Sequence, residues 1–187
     1  MSFNGQRIIP AVKNMKQFET FLDSSYEYGI FLDTHIAQLR QVSQMSKEKK
    51  KKILIHSDIV QGLKNDEYAT EYLCQEIKPF GIISTRSNVI LKVKQKGLIA
   101  IQRVFILDSQ ALEKSYMILK NSKADYVEIL PGVIPSVIKE MSQKIEIPIL
   151  AGGLVQTIDE MACAINAGAL AVTTSSRELW KRAEKIK

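Results

Sequence analysis

The chain has 187 residues, of which 45% are hydrophobic and 25% charged, a composition typical of a globular protein with a buried core. No apolar run is long enough to span a membrane and the N-terminus lacks the pattern of a secretion signal, so we expect a cytoplasmic protein. The excess of 26 Lys and Arg over 20 Asp and Glu, a net charge of +6, is compatible with a nucleic-acid partner but does not require one.

Short apolar runs alternate with helical patterns along the whole chain. The apolar, β-branched runs predict strands at residues 8–12, 29–32, 53–55, 81–83, 98–102, 126–130, 147–151 and 171–173. Helical patterns and capping residues predict helices at residues 14–26, 34–45, 65–77, 87–96, 108–121, 135–141 and 157–166, and a last one from residue 177. Eight β/α units predict an α/β protein with one domain, residues 1–187, folded as a compact (β/α)8 TIM-like barrel with short helices. An open doubly wound sheet is the competing fold.

The last two predicted strands end in residues suited to bind an anion. The seventh strand leads into Gly152-Gly153, where a backbone can approach a ligand without a side chain in the way. The eighth leads into Thr174-Ser175-Ser176, and Ser175 precedes a helix with Glu178 at capping-box spacing. Barrels hold phosphate at these two strand ends, because free N–H groups and the helix dipole attract the anion. Each turn alone could be an ordinary tight turn, but the pair predicts a phosphate site at Gly152, Gly153, Thr174, Ser175 and Ser176.

Polar side chains at other strand ends predict the rest of a ligand site. Glu128 stands in an apolar strand and must meet a partner or a ligand, and Arg103 on the neighbouring strand is its natural partner. His56 and Asp58 share a face if the third strand continues that far. Asp33 either contacts the ligand or caps the second helix. We therefore predict that a small polyol phosphate places its hydroxyls near Glu128, Arg103, His56 and Asp33, with a purely internal Glu128–Arg103 ion pair as the alternative.

A catalytic role would need an acid and a base within reach of each other. His56 with Glu128 could supply them, as in a phosphosugar isomerase or a glycerophosphate hydrolase. No lysine ends a strand in a Schiff-base position, and no cluster has the spacing of metal ligands. The two cysteines, Cys74 and Cys163, fall in predicted helices, and we expect both to be reduced core residues.

A basic run, residues 47–52, lies between the second helix and the third strand, at the end of the barrel opposite the predicted phosphate site. A solvated turn is one interpretation of this run. The other is a weak contact with the phosphate backbone of a nucleic acid. The candidate RNA-binding residues are Lys49, Lys50, Lys51 and Lys52.

The whole chain resembles the glycerol uptake operon antiterminator family. The resemblance is carried by Arg7-Ile8-Ile9-Pro10-Ala11-Val12, Phe31-Leu32-Asp33, Lys52-Ile53-Leu54-Ile55-His56-Ser57-Asp58, Gly81-Ile82-Ile83-Ser84-Thr85, Gln102-Arg103-Val104-Phe105, Glu128-Ile129-Leu130-Pro131-Gly132 and Pro148-Ile149-Leu150-Ala151-Gly152-Gly153-Leu154. The Gly-Gly turn occurs in many phosphate-binding barrels, whereas the ordered set of segments is specific.

The resemblance implies regulation and no catalysis. Members of this family respond to glycerol 3-phosphate as an effector, need no cofactor, and bind the leader mRNA of glycerol operon transcripts to prevent termination. The resemblance thus implies a barrel that binds a small ligand and RNA and does not associate with a membrane. We expect a homodimer, because two-fold symmetric dimers are the commonest oligomers. A phosphate-binding barrel enzyme acting on a small phosphosugar or glycerophosphate remains the alternative.

Overall fold

The computed structural model describes residues 3–184, and its eight parallel strands form a closed barrel in the order β1 to β8. The strands are Ile8–Val12 (β1), Tyr28–Phe31 (β2), Lys52–His56 (β3), Gly81–Ser84 (β4), Ile99–Phe105 (β5), Tyr126–Leu130 (β6), Ile149–Gly152 (β7) and Ala169–Thr174 (β8). The helices are Met15–Leu22 (α1), Leu39–Glu48 (α2), Glu67–Tyr72 (α3), Ser87–Gln95 (α4), Ser109–Ser122 (α5), Pro135–Lys144 (α6), Ile158–Asn166 (α7) and Arg177–Glu184 (α8). The closed barrel confirms the predicted fold and excludes the open sheet.

Side-chain caps begin α1, α5 and α7 where the sequence predicts them, whereas the predicted helix 34–45 begins with a 3-10 turn, Ile36–Gln38, before α2. Asn14 accepts a hydrogen bond from the backbone N–H of Gln17, and Asp108 accepts one from that of Ala111. Thr157 and Glu160 form a complete capping box at α7. The predicted helix 65–77 is wrong in detail, because α3 ends at Tyr72 and a π-helical segment, Leu73–Ile77, follows it.

Alternate strand residues fill the barrel and its outer layer. Inside, a compact apolar cluster includes Ile9, Ile30, Leu54, Ile83, Ile101 and Leu150. Their neighbours along the strands pack outward against the helices in a second, larger cluster. Small residues, such as Ala11 and Ala171 inside the barrel, help it to close around a narrow interior.

The N-terminal end of the barrel is closed by aromatic side chains. The Phe3 ring lies 5.1 Å from that of Tyr28 and 4.8 Å from that of Tyr126, measured between centroids. The Lys52 ammonium lies 4.8 Å from the Tyr28 ring centroid and forms an ion pair of 2.7 Å with Glu27. The barrel is therefore closed at its N-terminal end and open at its C-terminal end.

The two cysteines differ in exposure. Cys74 is buried as predicted, but Cys163 is exposed on α7, so its assignment to the core is wrong. Among residues 3–184, no helix is long and apolar enough to cross a membrane. Within the same range, no three His, Cys, Asp or Glu side chains are grouped so that they could hold a metal ion.

Candidate functional site

A cavity of about 480 Å³ opens at the C-terminal end of the barrel. Barrel enzymes and binding proteins place their sites at this end, because the loops that follow the strands converge there. Six of the predicted site residues line the cavity: Arg103, Glu128, Gly153, Thr174, Ser175 and Ser176.

The turn after β7 brings backbone close to the cavity. Gly153 has φ +76°, a left-handed conformation that favours glycine. The Gly132 N–H donates to the carbonyls of both Gly152 and Gly153, so these two oxygens already accept a hydrogen bond within the chain. Gly152 lies beneath the cavity wall, where a Cβ would come within 2.8 Å of a Glu128 carboxylate oxygen. The local geometry thus excludes a Cβ at Gly152 and favours, without requiring, glycine at Gly153.

The turn after β8 leads into the N-terminus of α8. The Thr174 hydroxyl donates to the Val155 carbonyl over 2.6 Å and accepts from the Ser176 N–H. The Ser176 hydroxyl accepts from the Leu179 N–H, so Ser176 caps the helix. The prediction that Ser175 is the cap is wrong by one residue, because α8 begins at Arg177. The N-terminus of α8 therefore lies beside the two serines that line the cavity.

Lys13, which is not among the predicted site residues, adds a positive charge to the cavity. It follows β1, whose Pro10 pairs with Thr174 of β8, and it lines the cavity. Its side chain is exposed, and within residues 3–184 it forms no ion pair. The rule that functional residues follow barrel strands, applied to β1, would have identified it.

The floor of the cavity is a hydrogen-bonded set of three side chains. The Arg103 Nε donates to one oxygen of Glu128 over 2.6 Å, and the Thr173 hydroxyl donates to the other oxygen over 2.6 Å. Glu128 is 1% exposed and the Arg103 side chain 10%. The predicted contact between Arg103 and Glu128 is confirmed as an ion pair. Thr173 was missed because a threonine in a strand pattern reads as an ordinary β-former.

His56 and Asp58 do not share a strand face as predicted, because β3 ends at His56 and a 3-10 turn, Ser57–Ile59, follows. His56 is buried and does not line the cavity, and its Nδ1 has no hydrogen-bond partner within the described chain. Burial, together with the nearby Arg103 charge, lowers the pKa of His56 to about 4. The imidazole is therefore neutral at neutral pH.

Two carboxylates near this end have local partners. Burial raises the pKa of Asp58, but hydrogen bonds from Ser84 and Thr85 outweigh it, so the pKa is lowered overall. Asp33 accepts a hydrogen bond of 3.0 Å from the Gln61 side chain and lies outside the cavity wall. It is not the cap of the second helix, whose first 3-10 turn begins only at Ile36.

The basic run at the opposite end is mostly engaged in contacts within the chain. Lys49 forms an ion pair of 3.0 Å with Asp23, and Lys52 contacts the Tyr28 ring and Glu27. The Lys51 ammonium donates to the carbonyls of Ser24 and Tyr26. Of the four candidate RNA contacts, Lys50 is exposed and, within residues 3–184, forms no ion pair.

Comparison with known proteins gives a consistent set of relatives. The model of a family described as glycerol-3-phosphate responsive antiterminator matches residues 8–180. A crystal structure of a glycerol uptake operon antiterminator regulatory protein from Listeria monocytogenes is 45% identical, with a TM-score of 0.94 over 97% of this chain and 98% of that one. An antiterminator-related protein from Thermotoga maritima is 28% identical, with a TM-score of 0.83 over 94% and 98%. The uncharacterised protein YgcP of Escherichia coli K12 is 31% identical and covers 96% of this chain and 94% of its own length.

Proposed function

The chain belongs to the glycerol-3-phosphate responsive antiterminator family, and we propose that it binds glycerol 3-phosphate at the C-terminal end of the barrel. In that state it binds the leader RNA of glycerol operon transcripts and prevents their termination. Such a protein works where transcripts are made, in the cytoplasm. The names of the family and of the Listeria relative support this proposal, and the cavity supplies its physical basis.

The observation that carries the proposal is the chemistry of the cavity wall. The phosphate would sit between the Gly153 turn and the N-terminus of α8, where backbone dipoles favour an anion. Ser175 and Ser176 bring hydroxyls to this wall, and the Lys13 ammonium balances part of the phosphate charge. One wall of the cavity thus combines three features that each stabilise a bound phosphate.

The floor of the cavity suits the glycerol part of the ligand. The Glu128 carboxylate can accept a hydrogen bond from a hydroxyl group, and the Arg103 guanidinium has N–H groups beyond the one that it donates to Glu128. Because Arg103 and Glu128 neutralise each other, the floor recognises a neutral polyol, whereas the wall recognises an anion.

The same geometry gives little support to an enzyme. Both oxygens of Glu128 already accept hydrogen bonds, so the carboxylate is not poised to move protons. His56, the other half of the acid–base pair considered for an enzyme, is buried and does not line the cavity. Among the strands of the described chain, the only lysine is Lys52, at the closed end of the barrel.

A transcription assay tests the proposal. RNA polymerase is run through the leader of a glycerol operon from the source genome, with the purified protein and with glycerol 3-phosphate, glycerol or inorganic phosphate. We expect readthrough only with the protein and glycerol 3-phosphate together, and recovery of the ligand unchanged. Readthrough that ignores the ligand, or conversion of the ligand to a product, would overturn the proposal.

A further inference from the structure

Three helical segments end in a lysine with a left-handed backbone. Lys50 follows α2 with φ 54°, Lys78 follows the Leu73–Ile77 segment with φ 51°, and Lys123 follows α5 with φ 51°. This conformation is uncommon for a residue with a Cβ, and helices that need it usually end in glycine.

The α4 helix shows that the same turn can be made without a lysine. At α2, the Lys50 N–H donates to the Lys47 carbonyl and the next N–H donates to Ser46. At α4, the N–H of Gly97 donates to Lys94, and the next N–H donates to Val93 in the same pattern. Favourable charge at a helix C-terminus does not explain Lys50 or Lys123 either, because Lys47 and Lys120 in the last helical turns already supply it. The segment before Lys78 carries no basic residue in its last turn. Lysines kept in a strained conformation point to a use outside the helix.

All three lysines lie at one end of the molecule. Each follows a helical segment and precedes a strand, so each lies at the N-terminal end of the barrel, opposite the ligand cavity. All three are exposed, and none forms an ion pair with any residue in the range 3–184. Other lysines at this end, such as Lys94 and Lys144, are paired with carboxylates.

Two of the three lysines line surface grooves that contain further lysines. Lys78 lines a groove of about 210 Å³ together with Lys47, and Lys123 lines one of about 610 Å³ together with Lys120. Glu146 is the single acidic residue that lines either groove within the described chain. Among the described residues, none of the strongly exposed apolar side chains lies in the turns that carry Lys50, Lys78 and Lys123. Phe105, Leu107 and Leu154 are at the other end, and Tyr68 and Met117 are on α3 and α5. The lysine-bearing turns thus offer charge without the apolar anchors that a membrane surface requires.

We propose that the N-terminal end of the barrel is the surface that binds RNA, with Lys50, Lys78 and Lys123 contacting phosphates of the sugar–phosphate backbone. The proposal rests on the proposed function, which supplies the RNA partner. It assigns RNA and glycerol 3-phosphate to opposite ends of the barrel, so the two do not compete for one site. Lysine contacts of this kind position the RNA, and the sequence is read by other groups.

The test replaces all three lysines by glycine, in the variant K50G/K78G/K123G. Because glycine fits the left-handed conformation, we expect a folded protein with unchanged affinity for glycerol 3-phosphate. We expect binding of the leader RNA to weaken at least about tenfold at 0.1 M salt, because three phosphate contacts are lost. The slope of log K against log salt should fall by about 2, at about 0.7 per contact.

Three further variants make the result specific. K50R/K78R/K123R retains the charges and should bind the leader like the parent. K50Q/K78Q/K123Q removes the charges but retains a Cβ at each position, and should weaken binding as the glycine variant does. K16Q/K64Q/K114Q removes the same charge from exposed lysines away from this end, and should change the affinity less than twofold.

The outcomes separate the two proposals. If the parent binds the leader in the presence of glycerol 3-phosphate and the glycine and glutamine variants bind equally well, the surface assignment is wrong and the proposed function stands. If K16Q/K64Q/K114Q weakens binding as much as they do, the surface assignment is also wrong, because the effect is then one of net charge. If the parent binds no leader RNA under any condition, both proposals fail.

Discussion

The two ends of the barrel are built from the same eight strands but present opposite chemistry. At the C-terminal end, the loops leave a cavity of about 480 Å³ lined by hydroxyls, backbone and charged side chains. At the N-terminal end, Phe3 fills the interior against Tyr28 and Tyr126, and the unpaired lysines lie outside on the turns.

The difference follows from which segments precede and follow each strand. The first residues of the strands pack against the N-terminal segment, whose Phe3 closes the interior of the barrel. The apolar surface buried there contributes to stability. Residues that leave the strands, such as Gly153 and Ser176, meet the N-termini of the following helices, where dipoles favour an anion. Strand direction alone therefore separates a stabilising end from a binding end.

The largest effect should come from breaking the ion pair at the open end. Glu128→Gln leaves the Arg103 charge buried without its counter-ion, so we expect a loss of about 3–5 kcal/mol in the free energy of unfolding, measured with denaturant. The double variant R103L/E128Q should recover most of this loss. If the protein is a sensor, Glu128→Gln should lower its affinity for glycerol 3-phosphate. If it were an enzyme, the same change would abolish turnover. A single variant as stable as the parent would contradict this account of the floor.

At the closed end, Phe3→Ala should cost about 3 kcal/mol of unfolding free energy, because it empties the plug between two aromatic rings. The affinity for glycerol 3-phosphate, measured below the unfolding transition, should stay within twofold. Phe3→Leu, which retains most of the apolar volume, should cost less. A large change in ligand affinity would show that the two ends are not separate in function.

Acid should destabilise the protein through His56. Its pKa is about 4 in the folded protein and 6.5 when unperturbed, so the unfolded state binds more protons between these values. The contribution of His56 to the free energy of unfolding is therefore fully present above pH 6.5. It falls by about 3 kcal/mol as the pH is lowered towards 4. In His56→Gln the unfolding free energy should be flatter across this window. An equally steep loss in the variant would rule out His56 as the source.

The smallest effect should come from the rim of the open end. Lys13→Gln removes one exposed charge near the predicted phosphate, and we expect affinity for glycerol 3-phosphate to fall about fivefold. The effect should shrink as salt is raised. Lys16→Gln, with the same charge loss three residues further along, should have no effect on titrations with the ligand, and an equal loss in both variants would refute a local role for Lys13.

Periodicity alone predicts most of the fold. The bounds of β1 and β6 are those predicted, because both are apolar runs limited by polar residues or breakers. β5 extends three residues beyond its predicted end, to Phe105, because Arg103 is tolerated inside the barrel by Glu128 on the neighbouring strand. The sequence indicates the Arg103–Glu128 pair, but the extension of β5 past Arg103 also depends on the register of the two strands, which a single segment does not reveal.

The candidate site was predictable where it depends on strand ends and hidden where it depends on packing. Gly153, Thr174 and Ser176 follow strands and line the cavity as expected. Thr173 resembles any strand threonine until its neighbour across the barrel floor is known. His56 and Asp33 also follow the strand-end rule, yet neither lines the cavity. His56 is the buried last residue of β3, and Asp33, after β2, accepts a hydrogen bond from the Gln61 side chain.

The most direct test of the account is calorimetric titration of glycerol 3-phosphate into the parent, Gly153→Asp and Gly153→Asn. Both side chains have the same size and tolerate the left-handed backbone of Gly153, but only Asp adds a negative charge. We expect saturable binding by the parent and weaker binding by the Asn variant. The Asp variant should bind at least about 100-fold more weakly than the Asn variant, because like charges are brought together. Equal binding by the Asp and Asn variants would show that the phosphate does not lie at the open end of the barrel.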